Sequence, residues 1–305
     1  LGGSWCAARS LYGAGDRGTP GATNDTCEPV TVQLEDADFT LSAISDGDQL
    51  GTSVAGVGDV NGDGIDDILI GAPSTDDTDG AAYLFLGPPP GNVSMASADA
   101  TFFAEDLHDD AGQVVAAAGD VNADGFADLV ITAPGNGHGV VYVIHGPVTG
   151  SVSLADADAR LIGVENETGI SVAGGGDLNG DGFDDLVIGT FATNAFGPIL
   201  AHVVYGPFVG DVDLGVDADA WLVGPDGSGG FEGIGALAIQ GDVDGDGLDD
   251  ILIGIPGDDT TASSSGAAYV ILGPVFGEVD ISTSAYARIY GDFANDIAGS
   301  SVAFA

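Results

Sequence analysis

Lysine is absent from this chain of 305 residues, and four arginines (Arg9, Arg17, Arg160, Arg288) stand against 48 acidic side chains. The formal charge of -44 repels nucleic acid and anionic membranes, so no nucleic-acid partner is expected. It attracts cations, and it creates self-repulsion that bound metal or high salt would relieve. No apolar run approaches the roughly 18 residues that span a bilayer, so membrane insertion is not expected, and Leu1 opens no basic-then-apolar leader. Two cysteines, Cys6 and Cys27, cannot build a disulfide framework. They fit a single disulfide in an exported protein, with two buried thiols as the alternative. A phosphate-binding loop ending in lysine is impossible, and no Gly-x-Ser-x-Gly elbow occurs. The four histidines (His108, His138, His145, His202) fall at no repeated position and lack metal-ligand spacing, which leaves them packing or surface roles. No carboxylate pair is singled out for acid/base work, and the isolated Trp5 and Trp221 are better core residues than sugar platforms.

What is present is glycine, 52 residues of it, beside 44% hydrophobic content and few helix formers. That balance supports a core built from many short strands and tight turns, an all-β class. Three Asn-x-Ser/Thr triplets, at Asn24, Asn92 and Asn166, are compatible with secretion and add little weight.

One nine-residue pattern recurs four times at intervals of 61, 57 and 65 residues. The copies run from Asp59 to Asp67, Asp120 to Asp128, Asp177 to Asp185 and Asp242 to Asp250. A run of small residues precedes each copy (53–55, 114–116, 171–173, 236–238) and suits a crowded innermost strand. A short apolar run follows each copy (68–70, 129–131, 186–188, 251–253) and reads as a buried strand. A third strand (82–86, 141–145, 201–205, 268–272) ends before a Gly-Pro pair, whose proline cannot donate to a ladder. A fourth follows an Ala-Asp-Ala-like turn (39–41, 101–103, 160–162, 221–223, 288–290). Four antiparallel strands per unit make the blade of a β-propeller.

Within each nine-residue pattern, oxygen donors at positions 1, 3, 5 and 9 and a carbonyl at 7 are what a hard seven-coordinate cation asks of one short loop. The candidate ligands are Asp59, Asn61, Asp63, Ile65 and Asp67; Asp120, Asn122, Asp124, Phe126 and Asp128; Asp177, Asn179, Asp181, Phe183 and Asp185; and Asp242, Asp244, Asp246, Leu248 and Asp250. Ile65, Phe126, Phe183 and Leu248 enter through their carbonyls, and the glycine at position 6 permits the sharp turn. Calcium, at about four sites, is the expected occupant. An EF-hand is excluded: its position-12 glutamate is replaced by Ile70, Ile131, Ile188 and Ile253, and strands flank the loops where it needs helices. Such enclosed ions are structural rather than catalytic.

The unit resembles the FG-GAP repeat of integrin α-subunits and other extracellular proteins, over roughly residues 31–305. Its Gly-Ala-Pro stands intact at Gly71-Ala72-Pro73, partly at Thr132-Ala133-Pro134 and Gly254-Ile255-Pro256, and is lost at Gly189-Thr190-Phe191. The glycine of its Phe-Gly survives as Gly51, Gly112, Gly169, Gly235 and Gly299. The expected division is an N-terminal segment at residues 1–30, with part of a blade and a Cys6–Cys27 disulfide, followed by the propeller at 31–305, with four metal loops and the start of a fifth unit.

The resemblance implies an extracellular or cell-surface adhesion or ligand-binding module, and no enzyme. It places a protein or glycan ligand on the face opposite the calcium loops, at residues 74–80, 107–110, 135–139, 192–198, 225–230 and 257–266. Two rival functions are a sheath or filament subunit and a polysaccharide-active enzyme. Residues 295–303 match 47–55, and 7–13 align weakly with 267–273, so both ends fall inside blades. A fragment of a seven-bladed ring is the first explanation; a closing blade shared by both ends, and self-association through open blade ends, are the others.

Overall fold

A computed structural model describes residues 39–74, 80–89, 91–106, 108–164, 167–190, 199–224 and 234–304, with the side chains of 199 and 200 excepted. The Cys6–Cys27 pairing, Trp5 and the division at residue 30 lie outside that set.

After β1 (Leu41–Ser42), four units repeat one plan. The first holds β2 (Val54–Gly58), β3 (Asp67–Ala72), β4 (Ala81–Phe85), β5 (Val93–Ser94) and β6 (Ala100–Phe103). Next come β7 (Val115–Gly119), β8 (Asp128–Ala133), β9 (Val140–Ile144), β10 (Gly150–Ser153) and β11 (Ala159–Ile162). In the third unit lie β12 (Ser171–Gly176), β13 (Asp185–Gly189), β14 (Ile199–Val204), β15 (Gly210–Asp213) and β16 (Ala220–Val223). The fourth carries β17 (Ala236–Ala238), β18 (Ile251–Ile255), β19 (Ala267–Ile271), β20 (Gly277–Asp280) and β21 (Ala287–Tyr290), with a one-turn helix α1 (Ile281–Ser284) between the last two.

The first, second, third and fifth strands of each unit form an antiparallel blade, for example β2-β3-β4-β6 in the register Val54↔Ile70↔Tyr83↔Thr101. This is the expected all-β propeller blade, and among the described residues the sheets do not close a ring. The structure departs from a purely antiparallel four-stranded blade in one respect. The fourth strand of each unit leaves its own blade and lies parallel on the outer strand of the unit before: β10 on β6, β15 on β11, β20 on β16, and β5 on β1. Three sheets therefore have five strands.

These straps share a Gly-x-Val-x-apolar pattern at 91–95, 150–154, 210–214 and 277–281. The apolar residue ending each one, Met95, Leu154, Leu214 or Ile281, is buried, and a Ser or Asp just before three of them caps the short helical turn that follows.

The core lies between sheets. Leu69, Leu84 and Phe102 of the first unit pack with Leu129, Ile131 and Tyr142 of the second, and the later units repeat the arrangement. Face-to-face packing of two-sided sheets explains why the second and third strands read as continuous apolar runs. Small first-strand residues, among them Ala55, Ala116, Ala173 and Ala238, surround an axial cavity of about 390 Å³ to which Ala303 and Phe304 also contribute.

The family glycines meet at the seams between units. Gly112 has φ +84 and donates its N–H to the Thr132 carbonyl, while its own carbonyl lies where a side chain on Gly71 would be, 2.0 Å from a Cβ placed there. Gly299 stands against Gly254 in the same way, again at 2.0 Å.

Candidate metal centre

Each nine-residue loop turns between the first and second strands of its blade, and its first aspartate caps the turn. In the first loop Asp59 Oδ1 accepts from Gly62 N (2.7 Å) and Asp63 N (3.0 Å), while Oδ2 accepts from Gly64 N (2.7 Å). Asn61 Oδ1 accepts from Asp63 N (2.8 Å), and Asp63 Oδ1 from Ile65 N (2.9 Å). The same bonds recur at Asp177, Asn179 and Asp181, and at Asp242, Asp244 and Asp246. Backbone N–H groups are thus wrapped round the position-1 carboxylate.

The ninth position behaves differently. Asp67, Asp128, Asp185 and Asp250 are buried, and each is held at both oxygens. Asp67 Oδ2 accepts from Val60 N (2.9 Å) and Oδ1 from Gly87 N (2.7 Å), tying the loop to the end of the third strand. Burial, the largest cause, pushes these carboxyls up, and neighbouring carboxylates add to it. Asp128 reaches about 6 and Asp185 about 7, against the backbone donors that pull the other way.

The donor set fits a hard divalent cation. In the fourth loop, carboxylate oxygens of Asp242, Asp244 and Asp250 lie within 4.8 Å of one another, the one such group of three acidic side chains among the described residues. The first three loops place an asparagine at position 3, whose Nδ2 donates to the position-5 carboxylate at 2.9–3.0 Å. Those loops carry the same oxygen-bearing residue types at positions 1, 3, 5 and 9, and their three carboxylates do not converge to the spacing of the fourth loop.

Sequence reading missed the residue at position 8. Asp184 Oδ2 accepts from the backbone N of Asp120 (2.7 Å), and Asp249 Oδ2 from that of Asp177 (3.0 Å), so a carboxylate of one loop holds the first residue of the loop before it. Burial, with Asp120, Asp177 and Asp249 nearby, raises the Asp184 carboxyl. Ala127 occupies the position in the second loop and joins it to the first through its backbone N–H alone, 3.1 Å from the Asp59 carbonyl. The repeated Asp66, Asp184 and Asp249 were the available signal.

Outside the loops, His202 is fully buried where the sister strands carry Tyr83, Tyr142 and Tyr269, and neither of its ring nitrogens has a hydrogen-bond partner. Trp221 donates its indole N–H to the Leu214 carbonyl (3.2 Å) and is a packing residue. Of the expected ligand-face loops, 135–139 and 257–266 are described; 192–198 and 225–230, with parts of 74–80 and 107–110, lie outside the described residues.

Repeated blades with an acidic loop between first and second strands define an acidic-loop type of β-propeller unit. The model of the FG-GAP repeat matches residues 50–85, 111–154, 168–195 and 239–271, so the chain carries four FG-GAP repeats. Integrin alpha-PS2 of Drosophila melanogaster is 29% identical over 175 residues, covering 51% of this chain and 12% of that protein. Integrin alpha-7 of Rattus norvegicus is 32% identical over 151 residues, 46% of this chain and 12% of that protein. For integrin alpha pat-2 of Caenorhabditis elegans the figures are 33% over 181 residues, 52% and 14%. The chain thus spans about an eighth of the length of the relatives it matches.

Proposed function

We propose that the chain is a calcium-stabilised propeller module for adhesion or ligand binding, working at the cell surface or outside the cell, with residues 31–305 as the propeller. The observation that carries this reading is the fourfold loop with its oxygen donors at positions 1, 3, 5 and 9, joined to the similarity to integrin α chains. Asp59, Asp63 and Asp67 with Asn61, and their counterparts in the other loops, hold the ion. A bound divalent ion supplies positive charge that draws the clustered carboxylates together. The protein's residues do the rest: position 1 sets the turn, position 9 anchors it to the next strand, and position 8 links neighbouring loops.

A protein ligand on the face opposite the loops is the natural partner, because variable loops on a rigid scaffold create recognition surfaces. The similarity to integrin α chains supports a binding module rather than an enzyme. Isothermal titration of chelator-treated protein with calcium is the direct test. About four sites are expected, with dissociation constants on the order of 0.1–1 mM, the range of extracellular modules. Absence of any calcium heat, together with a melting temperature indifferent to chelator, overturns it.

A further inference from the structure

The open edge of a β-sheet is a pairing site, and this fold covers its outer edges with straps. Strand β6 carries β10, β11 carries β15 and β16 carries β20, whereas β21 ends the sheet β17-β18-β19-β21 with no strand on its outer side among the described residues. The effect is plain at the third residue of each outer strand. Phe102, Leu161 and Leu222 are fully buried and share a core cluster with the apolar residue that ends the strap, Leu154, Leu214 or Ile281. Ile289 at the same position is 63% exposed.

This edge also differs from its sisters in chemistry. The residue before each sister strand is an aspartate, Asp99, Asp158 or Asp219, whose Oδ2 accepts from the backbone N–H of Leu86, His145 or Tyr205 at 2.8–2.9 Å. Tyr286 stands there in the fourth unit and is 59% exposed. Phe293 and Ile297 are exposed as well, so four large apolar side chains meet solvent within residues 286–297. Among them lies Arg288, at the second position of β21, opposite Tyr269. Its sister Arg160 holds the second position of β11, opposite Tyr142, and pairs with Glu105 (3.0 Å) and with Asp211 (3.6 Å), the second residue of the strap laid on it. Among the described residues every arginine–carboxylate pair belongs to Arg160, and none to Arg288.

We propose that the outer edge of β21 is a docking site for a separate protein, which adds an extended strand of pattern Gly-acidic-Val-x-apolar in parallel and sets its acidic side chain on Arg288. The register is that of the described straps, in which Val152, Val212 and Val279 face Phe102, Leu161 and Leu222, and Asp211 faces Arg160. The partner's valine thus covers Ile289. Its glycine N–H donates to the Tyr286 carbonyl, as Gly150 does to Asp99, Gly210 to Asp158 and Gly277 to Asp219. Main-chain bonds to an added strand supply affinity, and the side chains along it supply selectivity. Tyrosine and arginine beside an apolar centre are the residue types that carry binding energy at protein interfaces. A separate protein is selected over the chain's own straps because all four described straps are engaged, β5 on β1 and β10, β15 and β20 on the first three blades. A second copy presents the same engaged straps.

The probe is a fluorescent peptide with the sequence of residues 208–217, which contains Gly210-Asp211-Val212-Asp213-Leu214. It is added to the full chain in 0.15 M sodium chloride, where a screening length of about 8 Å mutes repulsion from distant carboxylates. Anisotropy should show saturable binding below about 1 mM, and the β21 amides should exchange on the order of ten-fold more slowly in the complex. The peptide carrying Asp211→Asn should bind roughly three- to five-fold more weakly. Arg288→Gln, at an exposed side chain, should erase the difference between the two peptides. No saturable binding, protection away from β21, or equal affinity of the two peptides for the unsubstituted chain would each overturn the proposal. So would β21 amides that are already slow without peptide: slow at every protein concentration means that the chain covers its own edge, and slow only at high concentration means that a second copy does.

Discussion

Ala123 sits at φ +56 where the other three loops place Gly62, Gly180 and Gly245. A left-handed alanine costs about 1 kcal/mol relative to glycine, so Ala123→Gly should raise unfolding free energy by roughly 0.5–1 kcal/mol in a urea titration. A fall would show that the loop carries no such strain. Gly71 is the opposite case, since a methyl there meets the Gly112 carbonyl oxygen at 2.0 Å, main chain against main chain. Gly71→Ala should cost on the order of 2–4 kcal/mol, against about 1 for Gly64→Ala, whose added methyl has open space. Similar losses at both sites would remove the steric explanation of the family glycine. His202 carries a pH dependence: burial lowers it to about 4 from 6.5, so the fold holds it neutral. The unfolded chain takes up the proton as pH falls below 6.5, and stability drops progressively toward pH 4. Replacing His202 by leucine should remove on the order of 2–3 kcal/mol of that acid loss; identical pH profiles for the two proteins would contradict it.

The loop elements separate two roles that share a residue type. Asp67→Asn leaves one of two buried N–H donors, Val60 or Gly87, without its acceptor, and should cost about 1–3 kcal/mol even in chelator. Asp246→Asn retains the oxygen that Leu248 N–H needs and faces no asparagine at position 3, so its effect should appear only when calcium is present. Melting both variants with and without chelator checks the distinction. The loops were legible in sequence because turn, donors and spacing all fall within nine residues. Blade strands were equally plain, bounded by those loops on one side and by Gly-Pro pairs on the other. The straps were not. Val152 reads as part of a loop because its partner Phe102 lies fifty residues back and the pairing is parallel, so no local period announces it. Asp184 was missed for a related reason: its recipient, the backbone N–H of Asp120, belongs to another unit.

At the scale of the molecule, charge and metal act together. Four divalent ions would offset eight charges and leave the chain near -36, starting from -44. Calcium at the proposed sites would therefore relieve only part of the self-repulsion, and sodium chloride should raise the melting temperature of the protein in calcium as well. A melt indifferent to salt would show that the acidic surface is not a net destabiliser. At calcium ten-fold above a dissociation constant, each site adds about 1.4 kcal/mol.

The parallel straps also impose an order on how the molecule is made. A ribosome that has released β6 has not yet released its cover, β10, which begins at Gly150, 47 residues beyond Phe103. At roughly 5–20 residues per second, each new blade waits several seconds with one flank open. A nascent chain of this protein is therefore always one repeat short of being sealed, and the moment of greatest exposure to chaperones travels along it with synthesis.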